Sequence, residues 1–559
     1  MTKKLYDTDI ETAPMHRLYQ IFGLKSNGRK DFRKKVQEEN SRRKHRKKAQ
    51  KESSGRKLKK KAQKESTGRK LRKKEQKEAQ KESTGRKHRK KAQKERAERS
   101  SEIKLRKGEK EMTTKNQRNP ILLPDIHVPD SEAHVMPDGQ LYLYGSFDNR
   151  NDVFCSEEYH VVSTPDLKTW TVHDTSLTGA QIPWFDNPEA PHYPGIDWSY
   201  PTPFILKMMA RDEAAGIDRK AEFEKAAQQK KPPLLFAPDC TCKDGKYYLY
   251  FCMSDDSEGV AVSDYPEGPF LEPKQLPCGG IDPAIFIDDD GQAYYYWGQL
   301  FSHGVKLNPD MISFDQNNIT DNLVTEEQHF FHEGSSMRRI GDTYYYVYAD
   351  MERGKPTALG YATAKSPLGP FTYRGIIIDN AACDPSSWNN HGSIECVNGQ
   401  WYVFYHRCSG GTQQNRRLCI EKIEIMPDGT IPEVKMTSQG IGKPYQKNER
   451  LEGWRACEVY GGAFIGPSAD SRTECLLNLK KGSAACWRYL ENDGSICKAV
   501  IYGKGSGTAE VFLNRNHAGT LRMQDGAGEC AITLKDGMYT VEIEVLESDG
   551  MEIDGIQFS

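Results

Sequence analysis

Three carboxylates stand out because each lies among small or apolar residues shortly before a glycine turn and an aromatic strand. They are Asp130 in HVPDSEAHV, Asp282 in GGIDPAIFIDDDG and Glu333 in FHEGSSMRRIGD. Carboxylates that occupy equivalent places in repeated units can converge at one point of a fold, although they are far apart in sequence. Such a group can carry general acid–base chemistry, in which one carboxylate activates water and another protonates a leaving oxygen.

Five repeats of one pattern supply the elements that would position these carboxylates. Each repeat is a glycine turn followed by an aromatic strand, in which Tyr, Leu, Val and Phe suit a buried pleated strand. Consecutive repeats are about 46 to 58 residues apart, except for one gap of about 106, and this spacing predicts a five-bladed β-propeller in an all-β chain. The repeats are PDGQLYLYGS (137–146), KDGKYYLYFC (243–252), DDGQAYYYWG (289–298), IGDTYYYVYA (340–349) and VNGQWYVFYH (397–406).

The long gap between the first two repeats contains an insertion from Trp184 to Pro233. Its stretch MMARDEAAGIDRKAEFEKAAQQKK is typical of a helix. We expect the insertion, with Trp184 and Trp198, to shape the rim of the site, and we predict Trp198 as a substrate-binding residue.

The repeats and their flanks resemble glycoside hydrolase family 43, the five-bladed propeller family of β-xylosidases, α-L-arabinofuranosidases and arabinanases. The resemblance spans residues 119–445 and touches every predicted blade. The stretches that carry it are NPILLPDIHVPDSEAHV (119–135), FAPDCTCKDGKYYLYF (236–251), IDPAIFIDDDGQAYYYWG (281–298), EGSSMRRIGDTYYYVYA (333–349) and NHGSIECVNGQWYVFYH (390–406).

The resemblance implies roles for the three carboxylates. Asp130 would be the general base that activates water, and Glu333 the general acid. Asp282 would hold the acid in position and keep the pKa of the acid raised through its own negative charge. The family inverts the anomeric carbon, so base and acid should lie roughly 6.5–9.5 Å apart to leave room for water.

The resemblance also implies residues that bind substrate or metal. His391, in WNNHGSIE, resembles the histidine at the propeller centre, where some members hold calcium through water. Arg416, in QNRRLCIEKI, resembles an arginine that contacts substrate, although Arg417 could be the residue aligned. No cofactor is expected to be required, and calcium at His391 would be structural.

Several assignments stay open at the level of sequence. The family commonly reads Asp-Pro at its first carboxylate, whereas this chain reads Asp130-Ser131, so Asp125 in LLPDIH is a rival base. Asp239 is interpreted as a structural turn residue, and residues 288–290 as an exposed hairpin turn. Three further residues could line the site or only complete their strands: His332, His406 and Arg407.

A basic arm, residues 1–118, precedes the predicted propeller. Between Arg29 and Lys110 it holds 37 Lys and Arg against 12 Asp and Glu, and residues 42–95 repeat a unit of about 13 residues such as RKHRKKAQKESSG. It lacks an apolar face, which indicates disorder or a solvated helix. It could bind polyanions, lie against the acidic remainder of the chain, or be an expanded low-complexity repeat.

The C-terminal residues 452–559 alternate like strands with glycine turns and predict a small β-sandwich. The pattern resembles carbohydrate-binding module family 6, a jelly-roll often fused to this catalytic family. Trp487 and Tyr489 could stack on sugars or belong to the core. A module that only braces the propeller is the alternative.

No apolar run in the sequence is long enough to span a membrane, and the start lacks a signal-peptide pattern. The 14 cysteines are scattered, as reduced thiols would be, so we expect a cytoplasmic protein. The expected activity is inverting removal of terminal β-D-xylosyl or α-L-arabinofuranosyl residues from hemicellulose-derived oligosaccharides. The alternatives are an endo-acting arabinanase and a catalytically silent carbohydrate-binding propeller.

Overall fold

The structure is a computed structural model that describes residues 112–185, 187–191, 202–218, 232–383, 389–468 and 474–559. The chain divides into two compact units, residues 1–108 and 109–559, and every described residue belongs to the second. The basic repeats and Trp198 therefore lie outside the described residues, as does the second half of the predicted helical insertion.

Twenty strands of the described chain form five antiparallel sheets, which are the blades of the propeller. Blade 1 contains β1 (Met112–Lys115), β2 (Glu132–Val135), β3 (Leu141–Tyr144), β4 (Glu158–Thr164) and β5 (Thr169–Thr178). Blade 2 contains β6 (Asp239–Lys243), β7 (Lys246–Cys252), β8 (Ser257–Ser263) and β9 (Leu271–Gly279). Blade 3 contains β10 (Ala284–Ile287), β11 (Ala293–Trp297), β12 (Phe301–Lys306) and β13 (Thr320–Thr325).

The last two blades differ in their number of strands. Blade 4 contains β14 (Phe331–Ile340), β15 (Thr343–Asp350), β16 (Ala358–Ala364) and β17 (Thr372–Asp379). Blade 5 has three strands: β18 (Ser393–Val397), β19 (Gln400–Ser409) and β20 (Thr412–Ile423). The five repeats found in the sequence supply β3, β7, β11, β15 and β19, so the prediction of five blades is confirmed.

The first full strand of each blade lies at the centre of the ring. Strands β2, β6, β10, β14 and β18 each contact the next, and β18 contacts β2 in turn. Blades 1 and 5 are also joined by the parallel bridge between Ser131 and Gly392. Residues at the starts of these five strands are therefore brought together, whatever their separation in sequence.

Asn119 fastens the beginning of the propeller to its last blade. Its Nδ2 donates to the carbonyl of Ile420 at 3.1 Å, to Oε1 of Glu421 at 2.8 Å and to the carbonyl of Thr437 at 3.1 Å. Its Oδ1 accepts from the Ile420 amide at 2.9 Å. Since both amide ends of Asn119 are bonded in a buried place, this one side chain closes the ring at β20.

The aromatic strands are buried because each blade packs between two others. All five residues of β11 and all seven of β16 are buried, which is expected when both faces of a strand are covered. Trp184 belongs to the same core: it lies between blades 1 and 2, 6.1 Å from the ring of Phe251, and donates to Ser257 Oγ. The expectation that Trp184 shapes the rim is wrong, because the side chain is buried between blades.

The insertion contributes one described helix, α1 (Pro203–Ala214), and a shorter helix, α2 (Glu326–His329), precedes β14. Thr202 caps α1 by accepting from the Ile205 amide, with Pro203 at the first helical position, where its missing N–H costs nothing. Short 3₁₀ turns lie at Gly179–Gln181, Gln316–Asn318 and Gly453–Arg455. Neither described helix is long and apolar enough to span a membrane.

The C-terminal region is a second β-structure with its own apolar core. The long strands β26 and β29 pair with each other along most of their length, and most of the shorter strands pair onto them, so that the strands fold around that core. The strands are β21 (Arg450–Glu452), β22 (Glu458–Tyr460), β23 (Phe464–Pro467), β24 (Glu474–Leu477), β25 (Ala484–Asn492), β26 (Lys498–Leu513), β27 (Asn516–Met523), β28 (Ala527–Ala531) and β29 (Gly537–Phe558).

Trp487 is a core residue of this region. It is fully buried, and its Nε1 donates to the Glu452 carbonyl at 2.8 Å, so it cannot stack on a sugar. The region packs against blade 5 through Arg417, which pairs with Glu474, and against the segment after β17 through the Val459 amide, which donates to the Ala382 carbonyl. All fourteen cysteines of the chain are free thiols.

Candidate active site

Asp130 and Asp282 occupy equivalent places at the centre of the propeller. Asp130 lies two residues before β2 and Asp282 two residues before β10. Both have a left-handed backbone, with φ of 54° and 56°. This conformation is uncommon for residues other than glycine, and it concentrates at functional sites. The same turn in two blades therefore points two carboxylates at the same axis.

Glu333 reaches the centre from blade 4 through an irregular stretch of β14. The register of β14 against β15 shifts on both sides of Glu333, which marks a bulge. The next residue, Gly334, has φ of 77°, and a Cβ there would lie 2.9 Å from the His391 ring. Glycine at 334 thus lets the strand that carries Glu333 approach His391 closely.

His391 lies between the carboxylates. Its Nδ1 is 3.6 Å from Oδ2 of Asp282 and 3.9 Å from Oδ1 of Asp130. Burial lowers the pKa of His391 more than the neighbouring carboxylates raise it, so the imidazole is neutral at neutral pH. The structure thus brings Asp130, Asp282 and Glu333 together around one neutral histidine.

Asp130 is held by a cation and a hydroxyl. Nη1 of Arg416 lies 2.7 Å and 2.8 Å from its two carboxylate oxygens, and Ser146 Oγ donates to Oδ2 at 2.7 Å. Burial raises the pKa of Asp130 most strongly, but Arg416, His406, His391 and the Ser146 hydroxyl together outweigh burial and keep this pKa below its usual value. Asp130 is therefore a carboxylate at neutral pH, as a general base must be.

Asp148, which no sequence pattern indicated, holds the other edge of the same arginine. Its oxygens accept from Nε and Nη2 of Arg416, both at 2.9 Å. Asp148 lies just after the aromatic strand β3. Gln299, which no sequence pattern indicated either, lies just after the aromatic strand β11. The signal that could have found both is a polar side chain directly beyond the repeated strand.

Glu333 is held by two amides. Gln299 Nε2 donates to Oε2 at 2.8 Å, and Asn389 Nδ2 donates to Oε1 at 3.3 Å. His332 Nε2 lies 3.8 Å from Oε2, and the Phe204 ring of α1 packs edge-on against His332 at 5.0 Å. The first turn of α1 is thus separated from Glu333 by the side chain of His332.

Asp282 differs electrostatically from Asp130. Burial raises its pKa well above the usual value, and the negative charges of Glu333 and Asp130 raise it further. Arg416 opposes the shift without cancelling it. The two carboxyl groups thus differ: Asp130 favours its charged form, whereas Asp282 favours its protonated form beside Glu333. A protonated Asp282 carries no negative charge with which to raise the pKa of the acid, and this differs from the role that the sequence resemblance implies.

The other predicted residues lie as follows. Asp125, the rival base, is exposed and outside the cluster. Arg417 faces away, towards Ser409 and Glu474. His406 does line the site, since its Nδ1 is 3.4 Å from Oδ1 of Asp130.

The remaining predicted residues are structural. Arg407 is buried against Cys419 and the Ala456 carbonyl. Asp239 accepts from the Cys240 and Ile285 amides and so joins blades 2 and 3. Asp288 pairs with Arg339 near the hairpin turn.

Further along the axis, a buried cluster has the composition of a cation site: Glu132, His134 and Asp239 are the one such group among the described residues. Arg338 occupies this region, with its guanidinium 3.1 Å from Glu132 and 3.2 Å from Glu395. His134 Nε2 lies 2.6 Å from Asp239. The Arg338 guanidinium and the hydrogen bond between His134 and Asp239 thus already satisfy these carboxylates.

One protein family and several known proteins are similar to this chain. The family model of glycosyl hydrolases family 43 matches residues 213–431. A xylosidase/arabinosidase of Thermoclostridium stercorarium is 28% identical over 472 residues, covering 71% of this chain and 90% of that protein. A β-xylosidase of Xylanibacter ruminicola is 33% identical over 245 residues, covering 36% of this chain and 74% of that protein.

A similar solved structure is a family 43 β-xylosidase/α-arabinofuranosidase from a compost metagenome, in complex with xylotriose. It is 27% identical, with a TM-score of 0.44, over 58% of this chain and 99% of that chain. The segment that the family model matches contains Asp282, Glu333, His391 and Arg416. The similarity to the Thermoclostridium stercorarium protein extends well beyond that segment. The chain is thus a glycosidase and belongs to glycoside hydrolase family 43.

Proposed function

We propose that this protein removes terminal β-D-xylosyl or α-L-arabinofuranosyl residues from hemicellulose-derived oligosaccharides with inversion at the anomeric carbon. The observation that carries the proposal is the convergence of Asp130, Asp282 and Glu333 around the neutral His391. The names of the relatives, xylosidase/arabinosidase and β-xylosidase, support the choice of sugars.

Each carboxylate takes the role that its surroundings support. Asp130, kept charged by Arg416, accepts a proton from water as that water attacks the anomeric carbon. Glu333, oriented by Gln299 and Asn389, donates a proton to the leaving oxygen. Asp282 holds a proton next to Glu333 and can reprotonate the acid after each turnover; the proton that Asp130 took from water then returns to Asp282 through solvent.

The remaining lining residues serve binding. His391 lies within 4 Å of both Asp130 and Asp282, where it can contact the sugar hydroxyls. Arg416 acts on substrate through Asp130, because its described donors are taken up by carboxylates. A role for Trp198 in binding stays a proposal from the sequence.

The test is hydrolysis of the 4-nitrophenyl glycosides of β-D-xylose and α-L-arabinofuranose. We expect Glu333→Ala and Asp130→Asn each to lower kcat by at least about 10³-fold. Asp125→Asn is the matched control, because it removes the rival, exposed carboxylate and should leave kcat unchanged. Proton NMR of the first sugar released should give the inverted anomer.

The outcomes separate the alternatives. Activity that survives Asp130→Asn and is lost in Asp125→Asn would overturn the assignment of the base. Cleavage of arabinan, without release from either nitrophenyl glycoside, would indicate an endo-acting arabinanase. Binding of oligosaccharides by a folded protein that hydrolyses none of them would indicate a silent propeller.

Family 43 enzymes need no cofactor, and a calcium ion at His391 is part of the proposal. The neutral imidazole can hold one water of a hydrated calcium ion, while the charged Asp130, 3.9 Å from Nδ1, supplies negative charge. Bound calcium would contribute electrostatic support to the carboxylates. Metal analysis of the wild type and of His391→Ala, each dialysed against calcium, tests the site.

Two further roles are proposed for the flanking regions. The basic arm binds polyanions, and a salt-sensitive gel shift with RNA that is lost on deleting residues 29–110 tests this. The C-terminal region, which resembles carbohydrate-binding module family 6, binds sugar through a surface that excludes the buried Trp487.

A further inference from the structure

We propose that Asp148 is a positioning residue of the reaction, which holds Arg416 in the orientation that fixes Asp130. The inference deepens the proposed function and rests on Asp130 being the base. Asp148 belongs to neither the repeats nor the conspicuous carboxylates of the sequence, and its part in the site follows from geometry alone.

The first argument is the way in which Arg416 divides its donors. One edge of the guanidinium, Nε and Nη2, donates to the two oxygens of Asp148 at 2.9 Å each. The other end, Nη1, is directed at the two oxygens of Asp130 at 2.7 Å and 2.8 Å. Because the guanidinium is planar and rigid, a side-on pair with Asp148 determines where Nη1 points.

The second argument is that Asp148 is itself fixed by the backbone. Its Oδ1 accepts from the Cys155 amide at 2.9 Å, and its Oδ2 accepts from the Arg416 amide at 3.1 Å. Its own amide donates to the carbonyl of His127 at 3.0 Å. Asp148 is therefore a fixed support in blade 1 to which an arginine of blade 5 is fastened.

The third argument is that Arg416 has little left to offer a substrate. It is 2% exposed, and its Nη2 also lies 3.4 Å from Cys155 Sγ. An arginine in direct contact with sugar would present a free edge to the pocket. Here Arg416 positions Asp130, the base, and Asp148 positions Arg416.

The consequence for Asp130 concerns the orientation of its carboxylate. Arg416 donates to both oxygens of its carboxylate and Ser146 donates to Oδ2, so these two residues fix the orientation of the group. A base that must take a proton from one water molecule needs its carboxylate aimed correctly, since small misplacements are costly in rate. Asp148 secures this aim from a distance, without contact with the reacting atoms.

The experiment compares Asp148→Asn with Asp152→Asn in the full chain, using the nitrophenyl glycoside that the wild type cleaves. Asp152 is exposed and four residues away, so it controls for a nearby loss of charge. We expect Asp148→Asn to lower kcat by about 10- to 100-fold with KM within about threefold. Asp152→Asn should match the wild type in both.

The pH profile distinguishes positioning from simple charge. If Asp148→Asn releases Arg416 from Asp130, the pKa of the base rises, and the acid limb of kcat/KM moves to higher pH. If Asp148 acted only as a negative charge, its removal would lower the pKa of Asp130 and move that limb to lower pH. A downward shift, or an unchanged limb with unchanged kcat, overturns the inference.

A second variant keeps the test decisive should Asp148→Asn fold poorly. Arg416→Lys retains the charge but cannot hold both carboxylates, so it should reproduce the upward shift of the acid limb. The double variant should be no slower than Arg416→Lys alone, because Asp148 acts through Arg416. Additive losses would contradict this, whereas an inactive wild type would refute the proposed function instead.

Discussion

Gln299 Nε2 donates a hydrogen bond of 2.8 Å to Oε2 of Glu333, from blade 3 across to blade 4. The bond fixes the carboxyl group that must face the leaving oxygen. We predict that Gln299→Ala lowers kcat by about tenfold with little change in KM, because the acid loses its orientation rather than its contact with substrate. Gln328→Ala, at an exposed position of α2, is the control. A KM effect without a kcat effect would place Gln299 in binding.

The buried Glu258 makes stability depend on pH. Burial raises the pKa of Glu258 to about 8, while Tyr295 donates to its Oε2 and Cys278 lies 3.3 Å away. Since the folded-state pKa lies above the unfolded value, folded protein holds the extra proton. Glu258 therefore costs no stability below about pH 4.5 and progressively more as pH rises through about 8.

Glu258→Gln should remove this dependence, because the amide is neutral at every pH and can still accept from Tyr295. We expect the melting temperature of the variant, relative to wild type, to be several degrees higher at pH 8.5 than at pH 5. Differential scanning fluorimetry at both pH values measures it. Glu547→Gln, at an exposed position, should show no such difference, and an equal offset at both pH values for Glu258→Gln would refute the prediction.

Closure of the propeller depends on Asn119. Replacing it by alanine leaves the Ile420 amide and the Thr437 carbonyl without their buried partner. We expect Asn119→Ala to lower the free energy of unfolding by about 2–4 kcal/mol, measured by urea denaturation. Asn516→Ala, in an exposed hairpin, is the control and should change it by less than about 0.5 kcal/mol.

Sugar binding by the C-terminal region can be separated from its stability. Trp487→Phe removes the hydrogen bond to Glu452 inside the core, so we expect a lower melting temperature and unchanged retention on xylan in affinity electrophoresis. Tyr489 is half-buried, and Tyr489→Ala should reduce retention if this face binds sugar. Equal retention of both variants and the wild type would favour a region that only braces blade 5.

The fold followed from the sequence because its signal is repeated. Five glycine turns, each before an aromatic strand, appear at nearly regular intervals, and burial on both faces of a blade requires continuous apolar strands such as β11. The position of Trp184 could not be predicted, because an aromatic residue next to an insertion shows the same sequence pattern whether it lines a rim or fills a gap between blades.

The site could be predicted from the sequence only for residues that occupy equivalent positions in the repeats. Asp130 and Asp282 precede equivalent strands, and their positions could be read from that equivalence. The pairing of Arg416 with Asp130 and Asp148 joins residues of blades 1 and 5 that are 286 and 268 positions apart in sequence. No periodicity records such a contact, since it depends on how a closed ring brings its two ends together.

Arg338 lies five residues further along β14 than Glu333, and it spans the centre from Glu132 to Glu395. Its guanidinium bridges carboxylates of blades 1 and 5 and so occupies the axis beyond the catalytic carboxylates. We expect the released monosaccharide to leave by the entrance through which the next oligosaccharide arrives. Turnover should accordingly slow as product accumulates, with competitive inhibition by the sugar that the enzyme itself sets free.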